Sequence, residues 1–418
     1  MNSAAERWDV LIVGGGPVGA CAAALLQRAA GSGRRALRIA VAEPARPVRA
    51  AEDEPLDARV SAFSRASERI LAAAGAWARV DAHRIQPYER MCVWPAHLPA
   101  RSPDALLFDA AAVGEADLGA IAENRLVQCA ALEAFEAAGG TMLTGGFTGL
   151  AIREEAVEVQ LGERKLQCRL LVGADGARSR VRESIGIAVQ TASYGQTAIV
   201  ANVRTERPHE RTAWQRFLGE GTLALLPLAD GTSSIVWSID ETAARERLAM
   251  PQAQFEAALT DASGGVLGAL TLCTERTGLA LRRLRAERFA AARCALIGDA
   301  AHVVHPLAGQ GVNLGLLDAA ALVECVLQAQ RVGEDPGALA PLRRYERWRK
   351  SELAPMLLAI DGFNRFLAHG QGPLARAAQH GLAWVNRSEA LKRLFITQAL
   401  GLSGELPAAA RPGGTAFS

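Results

Sequence analysis

Residues 8–19 read Trp8-Asp9-Val10-Leu11-Ile12-Val13-Gly14-Gly15-Gly16-Pro17-Val18-Gly19, and this stretch decides the fold. The apolar run that ends at Val13 predicts a buried parallel strand, and the alanine-rich run after Gly19 predicts a helix. Between them lies G-x-G-x-x-G, in which Gly14 permits a tight turn, Gly16 admits a pyrophosphate and Gly19 lets the helix pack closely. The helix N-terminus then faces the negative charge. The pattern predicts a dinucleotide-binding βαβ unit.

A second strand supports this interpretation. Residues 36–42 are mostly apolar and run into Glu43. A carboxylate about 20 residues beyond a glycine-rich turn is placed to accept a hydrogen bond from a ribose 2′-hydroxyl. The alternative is that the glycines form a purely structural turn. The strand, the helix and the acidic residue occur in the order and at the spacing of a nucleotide-binding unit, which favours the nucleotide site.

Composition limits the classes of function. The 418 residues are 50% hydrophobic, enough for a large core, and the net charge of +2 gives no indication of nucleic-acid binding. Seven scattered cysteines without a C-x-x-C pattern indicate reduced thiols in a cytoplasmic protein, not disulfides or a zinc site. We expect no signal peptide and no transmembrane segment, because no run of 18 uncharged apolar residues occurs. Peripheral contact with the inner membrane is left open.

The chain divides into a nucleotide-binding part, an inserted sheet and C-terminal helices. Short β-rich runs between residues 186 and 277, bounded by turns such as Asp230-Gly231, predict an antiparallel sheet. Helices are expected at about 124–138, 251–270 and 314–331. We therefore predict an α/β fold with an α+β substrate part: a Rossmann-like FAD-binding domain from residues 1–75, 105–182 and 278–345, a substrate domain from 76–104 and 183–277, a C-terminal helical region from 346–406, and a disordered tail from 407–418.

Three separated segments resemble one known superfamily. They are Gly14–Gly19 with Glu43, then Gly173-Ala174-Asp175-Gly176-Ala177-Arg178-Ser179-Arg180-Val181-Arg182, then Gly298-Asp299-Ala300-Ala301-His302-Val303-Val304-His305-Pro306-Leu307-Ala308-Gly309-Gln310-Gly311-Val312-Asn313-Leu314-Gly315. In this order they resemble the single-component FAD aromatic hydroxylases, the para-hydroxybenzoate hydroxylase superfamily. The resemblance spans roughly residues 8 to 370.

A narrower resemblance lies within the third segment. Residues 305–315 with Asp318 are similar to the signature of the ubiquinone-biosynthesis hydroxylases of the UbiH/UbiF/VisC type. Four other stretches are similar to the same family: Asp57-Ala58-Arg59-Val60-Ser61-Ala62, Glu123-Asn124, Leu226-Pro227-Leu228 and Val236-Trp237. The resemblance implies an enzyme that hydroxylates the aromatic ring of a polyprenylated phenol or benzoquinol intermediate of ubiquinone biosynthesis.

The resemblance also implies FAD as the cofactor, and we expect it to be bound non-covalently because no histidine or cysteine lies in an obvious flavinylation setting. Asp299 is expected to accept from a ribityl hydroxyl, and residues 309–311 open a helix whose dipole faces the flavin pyrimidine edge. By the same resemblance, Asp175 is expected to help hold the cofactor domain together, Arg59 is a candidate for phosphate contact, and Asn124 is expected to contact the flavin side chain. The expected cofactor-binding residues are Gly14, Gly16, Pro17, Val18, Gly19, Glu43, Arg59, Asn124, Asp175, Asp299, Pro306, Gly309, Gln310, Gly311, Val312 and Asn313.

Each polar candidate has a structural alternative. Asp299 could be a helix N-cap, Asp175 could organise a turn, and Arg59 could belong to a surface ion pair. His302 and His305 lie three residues apart in a predicted loop with no third ligand, so we predict no metal site.

The implied chemistry belongs to the cofactor. NAD(P)H would reduce FAD, dioxygen would give a flavin 4a-hydroperoxide, and the ring would take the distal oxygen. The protein must exclude water and orient the ring, so no residue is predicted to be a catalytic acid or base. A separate NAD(P)H domain is not expected, since there is no second G-x-G-x-x-G unit.

Three other functions stay open at this point. A flavin-dependent reductase of a prenyl lipid would consume no dioxygen, and a non-catalytic flavoprotein subunit of a quinone-biosynthesis assembly would bind FAD without turnover. A catabolic hydroxylase of small polar aromatics would lack the narrower signature. The predicted partners are a polyprenyl precursor, dioxygen and other ubiquinone-biosynthesis proteins, with the amphipathic C-terminal helices as candidates for membrane contact.

Overall fold

The computed structural model describes residues 6–30, 36–51, 53–305, 310–363, 388 and 400–413. In these residues the strands are β1 Glu6–Val13, β2 Ile39–Ala42, β3 Val60–Ser64, β4 Gln86–Tyr88, β5 Arg90–Pro95, β6 Leu106–Asp109, β7 Gly119–Glu123, β8 Thr141–Leu143, β9 Phe147–Ile152, β10 Val157–Leu161, β11 Arg164–Gly173, β12 Val189–Thr205, β13 Thr212–Leu218, β14 Gly221–Pro227, β15 Ser233–Asp240, β16 Leu270–Leu272, β17 Thr277–Ala286, β18 Ala290–Ala291, β19 Cys294–Leu296 and β20 His302–Val303. The α-helices are α1 Pro17–Ala30, α2 Arg65–Ala73, α3 Asn124–Ala137, α4 Arg180–Ser184, α5 Glu241–Ala249, α6 Gln252–Ser263, α7 Gln310–Arg331 and α8 Leu339–Phe363.

The first sheet is built around β1. β1 pairs in parallel with β2 and β11, β2 with β8, and β11 with β19, while β18, β10 and β9 add antiparallel edges. The four consecutive residues Val10 to Val13 are at most 5% exposed. Since successive strand residues point to opposite faces, both faces of β1 are covered, as the apolar run predicted. Helix α1 packs against α3 and α7.

The second sheet forms the substrate part. Its strand order is β20-β17-β12-β15-β14-β13-β5-β6, with β16 paired to β12, and all the pairs are antiparallel except β13 with β5. One face packs against α5 and α6, where the rings of Trp237 and Phe255 lie 5.8 Å apart. The opposite face is turned towards the nucleotide-binding part. The predicted mixture of a Rossmann-like sheet and an inserted antiparallel sheet is confirmed.

A small third sheet holds the loop that leads to the site. Its order is β3-β7-β4, and β7 ends at Glu123, which is 1% exposed. Glu123 Oε2 accepts from Arg84 Nε at 2.7 Å, and its Oε1 accepts from the backbone N–H of Asp57 at 2.8 Å. Buried charges require such pairing, and the pairing fixes the segment that carries Asp57 and Arg59.

Sheet membership differs from the predicted domain boundaries at three places. β6 was assigned to the FAD-binding domain, but it pairs with β5 in the second sheet and packs Leu106 and Phe108 beside Phe217. β17 also pairs with β12 in that sheet up to Ala286, so the return to the first sheet comes after residue 286. β4, assigned to the substrate domain, pairs with β7 instead. Strand patterns show which face is buried but not which sheet is joined.

Two other predictions are wrong in part. The expected helix over 251–270 ends at Ser263, because Gly264 adopts a left-handed C-cap with φ of +67°. Residues 407–413 were expected to be disordered, yet residues 408–410 form a 3₁₀ turn in which Ala409 and Ala410 are buried. Glu324 on α7 accepts from the backbone N–H of Ala408 at 2.8 Å, which docks this segment. Residues 364–387 and 389–399 of the predicted C-terminal helical region lie outside the described residues.

One helix in the described residues, α7, is long and apolar enough to cross a membrane by length and composition. Its most apolar window has a mean hydropathy of 1.5, and 83% of that window is buried inside the protein. The helix packs against α1, α2 and α8. Its apolar composition is therefore accounted for by its place in the core.

Candidate flavin and substrate site

A single cavity of about 710 Å³ brings the three sequence segments together. One wall comes from the glycine turn, β3, the start of α3, the end of β19 and the start of α7, and the other comes from the second sheet. The predicted cofactor residues that line it are Gly16, Pro17, Val18, Gly19, Arg59, Asn124, Asp299, Gly311 and Val312. Segments far apart in the chain therefore share one surface, as a bound dinucleotide requires.

The glycine turn has the shape that a pyrophosphate needs. Gly14 has φ of +104°, and a Cβ there would lie 2.3 Å from the carbonyl oxygen of Ala174. A Cβ on Gly19 would lie 2.1 Å from the carbonyl oxygen of Gly14. A Cβ on Gly16, in contrast, would meet no atom within 4 Å, because that position opens into the cavity. The three positions thus have the geometry that the predicted roles require: a turn, close packing and open space at the start of α1.

Asp299 follows β19 and faces the cavity. Its side chain is accessible from the cavity, and protein surrounds it on the other sides. This partial burial raises the pKa of Asp299 above the ordinary 3.8, and the nearby His302 partly opposes the rise. It lies within the 3₁₀ turn of residues 298–300, whose N-cap is Ile297, so the N-cap alternative does not hold. No group of the described residues donates a hydrogen bond to this carboxylate. A ribityl hydroxyl would fill that role.

Asn124 and Arg59 meet at the start of α3. The backbone N–H of Asn124 donates to the carbonyl of Arg59 at 3.1 Å. The Asn124 Oδ1 is buried without a hydrogen-bond partner in the described residues, which a cofactor hydroxyl or amide would supply. The guanidinium of Arg59 is exposed at the cavity, and no carboxylate of the described residues forms an ion pair with it. These features fit FAD.

Two predicted acids instead organise the turns beside the cavity. Glu43 Oε2 accepts from the backbone N–H of Gly15 at 2.7 Å, which places this carboxylate against the glycine turn. Asp175 accepts from Ser179 Oγ at 2.5 Å and from the backbone N–H of Val181 at 3.1 Å. Both oxygens of Asp175 are thus used by the protein, which favours the turn interpretation that the sequence left open.

Asn313 on α7 is a positioning residue. Its Oδ1 accepts from the backbone N–H of Ser64 at 3.0 Å and from Ser67 Oγ at 2.7 Å, and its Nδ2 donates to the carbonyl of Ala62. This network fixes the N-terminal turn of α7, which begins at Gln310, against β3 and α2. Gly311 and Val312 of that turn line the cavity, whereas the predicted residues Pro306 and Gly309 lie outside the described residues.

A buried ion network behind the site was not predicted. Asp318 on α7 is fully buried; its Oδ2 accepts from His302 Nε2 at 2.6 Å and from the backbone N–H of Gly298 at 3.1 Å, and its Oδ1 accepts from Arg349 Nε at 2.7 Å. His305 is buried and pairs with Gln196. The sequence feature that could have revealed this network is Asp318 itself, an acidic residue within the apolar run of α7. The network fixes the turn that carries Asp299.

Comparison with known proteins supplies the family. Residues 123–350, more than half of the chain, match the FAD binding domain family. Ubiquinone hydroxylase UbiL of Rhodospirillum rubrum is 37% identical over 96% of this chain and 91% of its own length. The chain belongs to the FAD-dependent ubiquinone-biosynthesis hydroxylases. The superfamily and family resemblances of the sequence are thus confirmed, as are the oxidoreductase class and FAD as the cofactor.

Other relatives of this hydroxylase agree. The 3-demethoxyubiquinol 3-hydroxylase of Escherichia coli is 34% identical over 94% of this chain and 98% of its own length. The human ubiquinone biosynthesis monooxygenase COQ6 is 31% identical over 94% of this chain and 92% of its own length. The crystal structure of p-nitrophenol 4-monooxygenase PnpA from Pseudomonas putida aligns with a TM-score of 0.74 at 18% identity, covering 96% and 99% of the two chains. This last likeness shows the fold alone.

The free carboxylate of Asp299 leads to a prediction about FAD affinity. Asp299→Ala should raise the FAD dissociation constant of this hydroxylase by about 10-fold or more, since hydrogen bonds to charged groups contribute roughly 1.5–3 kcal/mol. The ionised carboxylate is the stronger acceptor, so wild-type affinity should rise as pH increases above 3.8 through the raised pKa. Asp299→Asn keeps an acceptor, so its FAD affinity should fall less than that of Asp299→Ala. Its FAD affinity should no longer depend on pH in this range, because the amide does not titrate. Flavin fluorescence titration measures all three proteins, and undiminished FAD affinity in Asp299→Ala would remove the role.

Proposed function

We propose that this enzyme adds one hydroxyl group to the aromatic ring of a polyprenylated phenol or benzoquinol on the route to ubiquinone. The overall reaction consumes the ring C–H, dioxygen, NAD(P)H and a proton, and yields the phenol, water and NAD(P)⁺. The names of the relatives, which include ubiquinone hydroxylases and a 3-demethoxyubiquinol 3-hydroxylase, support this substrate class.

The observation that carries the proposal is the two-sided cavity. Its first wall holds the residues that we propose to bind FAD, and its second is a largely apolar sheet face that includes Ala224, Leu226 and Val236. Bound FAD supplies the activation of dioxygen. The chain supplies the rest: Asp299, Asn124 and the glycine turn hold the cofactor, while the apolar wall excludes water and orients a hydrophobic ring beside it.

The proposed setting is the cytoplasmic surface of the inner membrane. A polyprenyl tail is insoluble in water, so the ring must reach the cavity from a lipid surface or from a protein that presents it. Helix α7 is committed to the core, so membrane contact would have to come from another part of the chain. Other proteins of ubiquinone biosynthesis are the proposed partners.

Two experiments test the function. Purified FAD-loaded enzyme is given NAD(P)H and a short-chain prenylated phenol, and dioxygen uptake and product mass are followed. We expect one oxygen atom in the product per dioxygen consumed, whereas a prenyl reductase would reduce the substrate without dioxygen and a non-catalytic subunit would give no turnover. Deleting the gene should cause a quinone precursor that lacks one hydroxyl to accumulate. Unchanged ubiquinone in a strain without a paralogue would refute the pathway assignment.

A further inference from the structure

A second cavity lies on the other face of the second sheet, between the strands and helices α5 and α6. Its volume is about 450 Å³, which is ordinary for a small-molecule site. Strand alternation separates it from the first cavity: on β15, Val236 lines the first, whereas Trp237 and Ile239 face α5 and α6 and line the second. Its other lining residues come from the β13–β14 turn, α5 and α6. The two cavities therefore have the sheet between them.

Two residues of the second cavity carry buried hydrogen-bond donors without a partner. Trp237 is 3% exposed, and its indole Nε1 has no hydrogen-bond partner in the described residues. Arg247 on α5 places its guanidinium carbon 5.5 Å from the centre of the Trp237 ring, and its Nε is also buried and unpartnered in that part of the chain. A buried indole N–H ordinarily has a partner, so these two donors indicate an acceptor atom that arrives with a ligand.

The charges around the second cavity indicate a neutral ligand. Its lining residues include one cation, Arg247, and two exposed carboxylates, Glu220 and Asp261. The carboxylates outnumber the guanidinium, so the lining opposes the entry of an anion. The remaining side chains are apolar, among them Leu218 and Ile239. A flat neutral ring with carbonyl oxygens fits best, because a carbonyl accepts from both donors and brings no O–H group that needs an acceptor.

We propose that the second cavity binds a neutral quinone ring, with the Trp237 indole N–H and the Arg247 guanidinium donating to a carbonyl oxygen. The small side chains of Ala243 and Ala258 leave space for a flat ring in this cavity. The site binds a ligand and carries out no chemistry, since the cofactor residues line the other cavity. It goes beyond the proposed function and does not rest on it.

The test observes the Trp237 indole directly. Oxidised FAD-loaded enzyme with ¹⁵N-labelled tryptophan is titrated with duroquinone, a neutral quinone whose methyl groups block addition of thiols to the ring, and the indole N–H signals are followed by NMR. The signal that is missing from Trp237→Phe belongs to Trp237, and we expect it to move downfield to saturation as its N–H gains an acceptor. Arg247→Met should raise the duroquinone dissociation constant at this site about 10-fold. FAD affinity should stay unchanged in that variant, because the sheet separates Arg247 from the first cavity.

Trp8 provides the matched control. Its Nε1 is also unpartnered in the described residues, and the guanidinium of Arg38 lies 4.8 Å from its ring centre, but Trp8 lines neither cavity. Its signal, identified with Trp8→Phe, should stay fixed throughout the titration.

Three results would overturn the inference: a Trp237 signal that also stays fixed, equal duroquinone affinity in wild type and Arg247→Met, or binding of the anion trimethylbenzoate at this site as tight as that of duroquinone. Ring hydroxylation is measured in separate turnover assays. Its failure would refute the proposed function and leave the second site in place, whereas a fixed Trp237 signal would remove the site and leave the function in place.

Discussion

Gly14→Val is expected to produce a protein that purifies without FAD and is less stable than wild type by about 2–5 kcal/mol. Two penalties add at this position. The backbone has φ of +104°, which a β-branched residue adopts only with strain, and the new Cβ would lie 2.3 Å from the carbonyl oxygen of Ala174. That oxygen belongs to the turn after β11, so the clash separates two of the three segments that form the site.

Gly16→Ala is the matched control for this variant. A Cβ at residue 16 meets nothing within 4 Å, so the free energy of unfolding of the FAD-free protein should stay within about 1 kcal/mol of wild type. The methyl group would occupy the space needed by the pyrophosphate, so FAD affinity should still fall. Urea unfolding of the FAD-free proteins and flavin titration separate the two effects. Wild-type stability in Gly14→Val would refute the close approach, and wild-type FAD affinity in Gly16→Ala would refute the phosphate position.

Local sequence patterns predicted the parts of the site that depend on backbone shape. The apolar run to Val13, the glycines and Pro17 each limit the backbone within a few residues, and the structure has the strand, turn and helix where they were expected. The antiparallel insertion was predicted for the same reason, because alternation and turn residues are local signals. These features needed no knowledge of distant parts of the chain.

Features that depend on distant partners could not be predicted in this way. Asn313 was expected at the flavin, but its amide holds Ser64 and Ala62, residues about 250 positions earlier in the chain. The segment around Ala408 has a composition typical of disorder, yet the Ala408 backbone N–H donates a hydrogen bond to Glu324 on α7. The sequence of β6 and β17 shows a strand but contains no signal for the sheet that each strand joins.

The candidate site follows the same division. Asp299 lies at a strand end that the motif marks, so its position at the cavity was predictable. Gln215 lies within a strand without any motif, and only the strand register, which places it opposite Ala224, and the cavity lining show that it faces the site. A strand pattern does not show which sheet a strand joins, so local sequence does not identify such residues.

Asp318→Ala is expected to lower the free energy of unfolding by about 3–5 kcal/mol, the range for breaking a buried ion pair. Burial alone would raise the pKa of Asp318, but His302 and Arg349 outweigh it and hold the pKa below the ordinary 3.8. The carboxylate is therefore ionised at every pH above 3.8, and its contribution is lost only as pH falls through the lowered value. Arg349, whose side chain is buried at 2% exposure, loses its carboxylate partner in this variant. The turn before Asp299 also loses a bond to Gly298, so FAD affinity should fall too.

Two further variants decide whether charge burial is the cause. Glu136→Ala removes a carboxylate from Arg46 at the surface, where the side chains are 31% and 59% exposed, and should cost less than about 1 kcal/mol. The double variant Asp318→Leu with Arg349→Met replaces the buried pair with apolar groups and should recover most of the stability lost by Asp318→Ala. Denaturant unfolding at constant pH measures all of these proteins. The double variant could instead be no more stable than Asp318→Ala. The loss of stability would then come from the missing hydrogen bonds between the Asp318 carboxylate and His302 and Gly298, and not from the unpaired Arg349.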